Sequence, residues 1–343
     1  MAKVLVTGGT GFIAAHIIVQ LLERGYHVVT TVRSDDKGRA VLNVHNSTDV
    51  KDRLSYKIVK DVAQPGAYDE AVRSIANLDF VIHTTSPVVF SVEDPVRDML
   101  EPAVNGTTNI LKAVKAYAPS VKRVVLLSSY AAMRDDDRKP PPVYDESWWN
   151  PITWEEAVQN PKKTYQGSKA LSERAAWDFM RDENPSFELV AINPSRVFGP
   201  AAPHLITGEL DKVNTTNMVI LDMVQGKMKD KLEPTGFYSW VGVRDVALAH
   251  VRALEVPEAA GRRFFLIAGY HSNKEIVEII KSMSHELAVR LPADLDKFEV
   301  DIPGPGERYG FDNKQSREVL GIEYASLQTT IKETVESFVK LGA

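Results

Sequence analysis

The stretch Val4-Leu5-Val6-Thr7-Gly8-Gly9-Thr10-Gly11-Phe12-Ile13-Ala14 constrains this chain more than any other. Strand-type residues run into a glycine turn, and the turn runs straight into an apolar-periodic segment. That is the layout of a first βα unit able to hold a dinucleotide. Gly8 can turn with φ > 0 at no steric cost. Gly11 has no side chain to keep a pyrophosphate off the backbone, and the helix opening at Phe12 and Ile13 offers unpaired N–H groups and a positive dipole end. Ala14, in place of a third glycine, keeps helix and strand close. Gly8, Thr10, Gly11, Phe12 and Ile13 are therefore the first candidate cofactor contacts. The spacing is G-x-x-G-x-x-A, not G-x-G-x-x-G, and alone it also fits any strand-to-helix turn. The rest of the chain narrows the choice.

A helix over 12–24, stopped by Gly25, precedes a β-branched strand at 27–32. At the end of that strand a chain selecting NAD usually carries an acid for the ribose hydroxyls. Here Arg33 and Lys37 stand there, which suits a 2′-phosphate and hence NADP(H), although Asp35 and Asp36 sit between them and two ordinary surface cations read the same way. A third strand at 55–59 is followed by Asp61-Val62, where adenine would lie. A short helix spans 67–76, and a fourth strand, 79–84, ends in Thr84-Thr85-Ser86-Pro87. Thr84 and Ser86 would face the cofactor, while His83 reads as a packed strand histidine. A helix at 95–117 and a strand at 121–127 come next, then a loop-rich stretch at 134–163 whose Asp135-Asp136-Asp137 lacks the spacing of a cation loop. A helix at 164–184 and a strand at 187–192 complete the alternation. Such alternation predicts an α/β fold of Rossmann type, a doubly wound parallel sheet with ligands at the strands' C-terminal ends. Residues 1–194 read as the cofactor-binding domain carrying the catalytic residues. Residues 195–343 read mainly as a smaller substrate-binding lobe, with some chain returning to the first domain, a capping box at Ser272-x-x-Glu275 and a closing helix at 326–341.

Composition excludes several function classes. The absence of cysteine removes disulfides, thiolate zinc and cysteine nucleophiles at once. A formal net charge of −5 with no basic run argues against nucleic acid. No apolar run approaches the roughly 20 residues of a membrane span, and Met1-Ala2-Lys3 leaves no apolar leader before Val4. The expectation is a cytoplasmic protein acting on a small molecule, without a metal, as monomer or homodimer.

Tyr165-Gln166-Gly167-Ser168-Lys169 puts a phenol and an ammonium four residues apart, on one helix face. A phenol near pKa 10 is a poor base at neutral pH, and a neighbouring ammonium lowers that value. The pair can then protonate a developing alkoxide, and Ser129, at a strand end, can hydrogen-bond the same oxygen. Alone, such a pair is more often a surface contact. Placed after a dinucleotide turn and a Ser128-Ser129 strand end, it reads as catalytic.

With these residues in view, the chain resembles the extended short-chain dehydrogenase/reductases. Within them it is similar to the dihydroflavonol-reductase-like branch, nearest the fungal NADPH-dependent methylglyoxal and aldehyde/ketone reductases. The resemblance rests on the opening turn, Thr31-Val32-Arg33-Ser34, His83-Thr84-Thr85-Ser86-Pro87 and Pro102-Ala103-Val104-Asn105-Gly106-Thr107. It continues through Leu127-Ser128-Ser129-Tyr130-Ala131-Ala132, Asp145-Glu146-Ser147-Trp148 and Tyr165 to Lys169. Its last carriers are Asn193-Pro194-Ser195-Arg196-Val197-Phe198-Gly199-Pro200 and Val243-Arg244-Asp245-Val246-Ala247.

The resemblance implies that Tyr165 donates the proton, Lys169 lowers its pKa and binds the nicotinamide ribose, and Ser129 orients the carbonyl. It implies that Arg33 and Lys37 take the 2′-phosphate, Asp61 and Val62 flank adenine, and Pro194 and Val197 line the nicotinamide, with transfer of the pro-S hydrogen. The substrate pocket departs from the branch. Where relatives carry aromatics, this chain has Val88, Arg134 and Arg196; Phe90, Tyr130 and Trp240, with Val89 and Met133, remain as apolar candidates. Arg196 would meet a carboxylate or ester group of a substrate, or else pair with an acid of the chain such as Glu209. The expected activity is NADPH-dependent reduction of aldehydes and ketones such as methylglyoxal, aliphatic aldehydes, aryl ketones and keto esters. An NAD-dependent nucleotide-sugar epimerase or dehydratase and a non-catalytic NADP(H) sensor are the alternatives. The first normally places an acid where Tyr130 stands, and the second has no need of Tyr165 and Lys169.

Overall fold

The computed structural model describes residues 1–45, 47, 50–86, 92–138, 142–298, 301–304 and 306–343. β1 (Lys3–Thr7) leads into α1 (Phe12–Glu23), after which Gly25, at φ 84°, turns the chain into β2 (His27–Val32). Next come α2 (Asp35–Val44), β3 (Leu54–Ile58), α3 (Asp69–Arg73), β4 (Phe80–His83), α4 (Glu101–Tyr117) and β5 (Arg123–Leu127). β6 (Val143–Tyr144) and α5 (Trp154–Gln159) occupy the connection to α6 (Thr164–Glu183), which ends at a left-handed Asn184 before β7 (Glu188–Pro194). The remainder is β8 (Arg196–Phe198), α7 (Met218–Val224), β9 (Ser239–Gly242), α8 (Val243–Glu255), β10 (Arg263–Leu266) and β11 (Gly269–Tyr270). It closes with α9 (Asn273–Lys281), α10 (His285–Ala288), β12 (Gly310–Phe311), α11 (Lys314–Glu318) and α12 (Leu327–Lys340).

Seven strands form one parallel sheet in the order β10-β7-β5-β4-β1-β2-β3. The period of two along a strand divides the core. In β1, Val4 and Val6 face α1 and α8, together with Ile17, Leu21, Val246 and Ala249. Leu5 faces α3, α4 and α6, together with Val72, Ile110, Val114 and Phe179. Helices on both faces and an order that reverses at β1 make this the doubly wound sheet expected, and β1, β4, β5 and β7 all end on the same side.

The chain beyond residue 195 contributes to two bodies. α8 and β10 complete the main sheet and its cover, with Phe264, Phe265 and Leu266 fully buried. Burial of each such side chain is worth about 1.5–3 kcal/mol, enough to hold a four-residue edge strand in place. The second body has its own core, built from Phe198, Ile220, Trp240, Ile276, Ile331 and Phe338, around the small sheet β11-β9-β8. Ser272 caps α9 by accepting from the Glu275 N–H at 3.1 Å.

Two local features differ from the expectation. The sequence does not signal α2, because Gly38 in its middle lowers helix propensity. Gly38 is needed there, since a Cβ would press on the Tyr56 ring. The helix expected over 95–117 opens instead as a π turn, Val96–Leu100. Pro102 sits in the first turn of α4 and supplies no N–H to the preceding carbonyls.

Candidate active site

The glycine turn is built for close approach. Gly8 adopts φ 72°, and its N–H donates to Thr31 Oγ1 at 3.0 Å. Gly11 is the N-cap of α1, in extended conformation, and α1 begins without a side-chain cap or an acid in its first turn. The positive end of a 12-residue helix is thus left for an anion. Gly9, to which sequence reasoning assigns no role, is held just as tightly: a Cβ there would run into the Thr30 hydroxyl, itself donating to Val6 O at 2.7 Å. These features fit a dinucleotide pyrophosphate.

Arg33 and Lys37 are both exposed beside this turn, and among the described residues neither has a hydrogen bond or ion pair. The acids between them do not cancel them equally. Asp35 is turned away, accepting from Tyr56 Oη at 2.5 Å and pairing with Arg39 at 2.6 Å. On the next loop Asp61 accepts from the Ala63 N–H and from Gln64 Nε2, both at 3.0 Å. Asn109, buried on α4, donates to Val62 O at 3.0 Å and to Gln64 O at 2.8 Å, and so fixes Val62. Asn109 carries no motif of its own and is not legible in the sequence. Thr84 donates through its hydroxyl to Thr7 O, and its N–H donates to Thr7 Oγ1 at 3.1 Å. Ser86 comes two residues later, half-buried. His83 is packed: Nδ1 lies 2.9 Å from Thr7 Oγ1, and burial pulls its pKa down to about 3, so it stays neutral.

The chemistry-bearing side chains lie where β5 ends and α6 begins. Ser129 caps a short turn, its Oγ accepting from the Ala131 N–H at 3.1 Å. Tyr165 sits deep yet reachable, 39% exposed. Surrounding protein raises its pKa above the ordinary 10, while the facing Ser129 hydroxyl opposes the rise. Lys169 Nζ stands 5.9 Å from the Tyr165 ring centroid. Burial pulls its own pKa down to about 8, with Glu173 working in the opposite direction.

Glu173 anchors a network that sequence reasoning misses. Fully buried, it accepts from Ser128 Oγ at 2.5 Å, Asn193 Nδ2 at 2.7 Å and Arg263 Nε at 2.6 Å. Asn193 also donates to Ser129 O at 3.2 Å, which ties the network to the serine. Arg263 uses a second nitrogen for Glu146 O and Trp148 O, at 2.8 and 2.6 Å, and its guanidinium lies 3.8 Å from the Trp149 ring centroid. A buried charge pair that is this fully hydrogen-bonded survives where an isolated charge would not.

The substrate candidates divide. Val88, Val89 and Phe90 lie outside the described residues. Tyr130 and Met133 are buried with Tyr144, Phe265 and Ile267 in an aromatic group beside the site, partly covered by Phe237 and Tyr309. Trp240 does not join them: 3% exposed, it packs into the second body's core, because β9 turns it towards Phe198 and Ile276. Arg134 is paired with Asp136, 2.7 Å away, and Asp136 and Asp137 further bind Gln166 and Lys163. The aspartate run therefore latches its loop to the start of α6. Arg196 is half-buried and does not reach Glu209, which is bound by Lys212. Pro194 and Val197 are both buried, on either side of the β7–β8 step.

Residues 4–268 match the model of the NAD-dependent epimerase/dehydratase family. A ketoreductase of Aspergillus niger is 49% identical over 341 residues, 98% of each chain. The NADPH-dependent methylglyoxal reductase of Saccharomyces cerevisiae is 34% identical, again over 98% of each chain. The crystal structure of Gre2 in complex with NADPH from Candida albicans superposes with a TM-score of 0.89 at 35% identity, covering 100% of both chains.

Proposed function

The chain belongs to the NAD-dependent epimerase/dehydratase family, and from that premise we propose that it is an NADPH-dependent reductase of aldehydes and ketones. The observation that carries this reading is that a serine hydroxyl from the end of β5 and an ammonium from α6 flank one phenol, and that phenol is open to solvent. The ketoreductase and methylglyoxal-reductase names of its relatives support the same reading.

NADPH, when bound, supplies the hydride that reduces the carbonyl carbon. The turn at Gly8, Thr10 and Gly11, with Phe12 and Ile13, would hold its pyrophosphate. Arg33 and Lys37 would take the 2′-phosphate, which an exposed, unpartnered pair can do without breaking an existing contact. Asp61 and Val62 would flank the adenine, Thr84 and Ser86 would face the cofactor at the end of β4, and Pro194 and Val197 would line the nicotinamide. Ser129 Oγ donates to the substrate carbonyl oxygen. Tyr165, whose pKa stays above the ordinary 10 and which is therefore protonated at neutral pH, transfers its proton to that oxygen as charge develops on it. The Lys169 ammonium stabilises the phenolate left behind. Glu173 and Arg263 position Lys169 and Ser129 from beneath. Tyr130 stands where an epimerase would carry an acid, and it is buried among aromatics.

The test is the loss of nicotinamide absorbance with purified protein, NADPH or NADH, and methylglyoxal, an aliphatic aldehyde, an aryl ketone and a keto ester. NADPH-specific oxidation with any of these is expected. Tight NADPH binding with no oxidation across the panel would remove the reductase reading.

A further inference from the structure

Arg196 has an environment that a structural arginine does not. It is half-buried at the start of β8, just past the C-terminal end of β7, and burial lowers its pKa. A guanidinium has five N–H donors. Among the described residues its one hydrogen bond is a long one, 3.5 Å to Thr235 O. Buried cations in folded chains are normally paired, as Arg263 is with Glu173 and Arg134 with Asp136. Among the described residues no carboxylate forms an ion pair with it, and the two acids weighed against it are engaged with other groups. Glu209 is held by Lys212, and Asp301 accepts from the N–H and the hydroxyl of Thr235.

The surroundings hold the guanidinium in place without neutralising it. Its Cζ lies 5.5 Å from the Phe237 ring centroid, and Arg134 lies 4.8 Å from the same ring. The nearby Tyr309 phenol is kept neutral by burial while donating to Ser239 Oγ at 2.9 Å. Burial also pulls His271 down to about pKa 3, so it carries no charge. Tyr130, whose ring is 5.9 Å from that of Phe237, has a buried hydroxyl with no hydrogen-bond partner among the described residues. Tyr130 directly follows Ser129, so this aromatic group adjoins the proposed catalytic side chains.

We propose that Arg196 is the recognition site for a carboxylate on the substrate, so that this chain takes oxo acids in preference to the corresponding neutral carbonyl compounds. This rests on the reductase reading above and narrows its substrate class. A planar fork fixed against an aromatic face suits bidentate contact with a carboxylate. The partly desolvated setting strengthens that contact relative to one at the surface.

The test uses a short series of oxo acids differing in chain length, with their methyl esters, on wild type, Arg196→Gln and Arg196→Lys. Binding to the NADP+-loaded protein is measured by calorimetry and turnover by NADPH oxidation. Wild type should bind at least one acid more tightly than its ester by about tenfold or more, the size of a charge-assisted hydrogen bond. Arg196→Gln should weaken the acid at least about tenfold more than the ester, and Arg196→Lys should recover part of the difference. Equal binding of acid and ester in wild type, or an equal loss for both in Arg196→Gln, overturns the proposal. The ester serves as the folding control within each variant. If acids bind through Arg196 and no compound is reduced, the carboxylate site stands and the reductase reading is what fails.

Discussion

The two ends of the proposed cofactor site are built on opposite principles. At the phosphate end, Arg33 and Lys37 are exposed, close in sequence and unpartnered among the described residues. At the catalytic end, Lys169 and Glu173 are 5% and 0% exposed, and Glu173 is bonded to Arg263, 90 residues further along the chain. The open end uses charges that are free until a ligand arrives, so binding there costs little reorganisation but is screened by salt. The closed end fixes its charges in advance, so the proposed proton donor would meet a substrate with its surroundings already organised. Affinity and chemistry are thereby separable, and each can be perturbed without the other.

The sharpest way to break that separation is Tyr165→Phe. Loss of the proton donor should lower kcat by roughly a thousandfold, while the NADPH dissociation constant, read by fluorescence titration, should stay within about threefold. A large loss of cofactor affinity would mean that the two ends are not independent. Arg263→Met tests the closed end as a structural unit. Removing one partner strands a buried Glu173 carboxylate, for an expected loss of about 3–5 kcal/mol in urea unfolding. A loss below about 1 kcal/mol, of the size seen for exposed pairs, would show that the network is not held as tightly as its distances indicate.

Arg33→Glu probes the open end. NADPH should weaken by roughly a hundredfold, since an attractive charge becomes a repulsive one, and NADH by far less. Equal effects on both cofactors would remove the phosphate assignment. The smallest expected effect is on pH. Burial lowers the Lys169 pKa to about 8, so its ammonium is intact below that value and lost as pH rises through it. The kcat/KM for reduction should therefore decline above about pH 8. Lys169→Arg, which keeps its charge, should abolish that limb of the profile. An unchanged limb in Lys169→Arg would assign it to another group.

Legibility in the sequence divides along the same line. The glycine turn, Arg33, Ser129, Tyr165 and Lys169 stand out as candidates because each belongs to a short local pattern whose spacing has a mechanical reason. The parallel sheet is equally readable, since β1, β2, β4 and β5 are continuous β-branched runs bounded by turns. Arg263 and Asn109 are invisible to that method: they act through contacts made only once the sheet has assembled, and nothing around them marks them. Gly9 is in plain view, but its role depends on the Thr30 hydroxyl of the next strand. β10 escapes because a four-residue buried strand has no alternation to reveal it. For Arg196 the sequence leaves two options, a substrate carboxylate or ester and an acid of the chain such as Glu209; Glu209 itself is held by Lys212.

The most direct test of the central claim is the fate of the hydrogen at C4 of the nicotinamide. NADPH carrying deuterium in the pro-S position is incubated with the protein and a carbonyl compound from the panel, and the products are read by mass spectrometry. The account predicts an alcohol with deuterium on the former carbonyl carbon and unlabelled NADP+. Deuterium retained in the oxidised cofactor would contradict the expected face, and deuterium in neither the alcohol nor NADP+, with the cofactor unconsumed, would contradict carbonyl reduction itself.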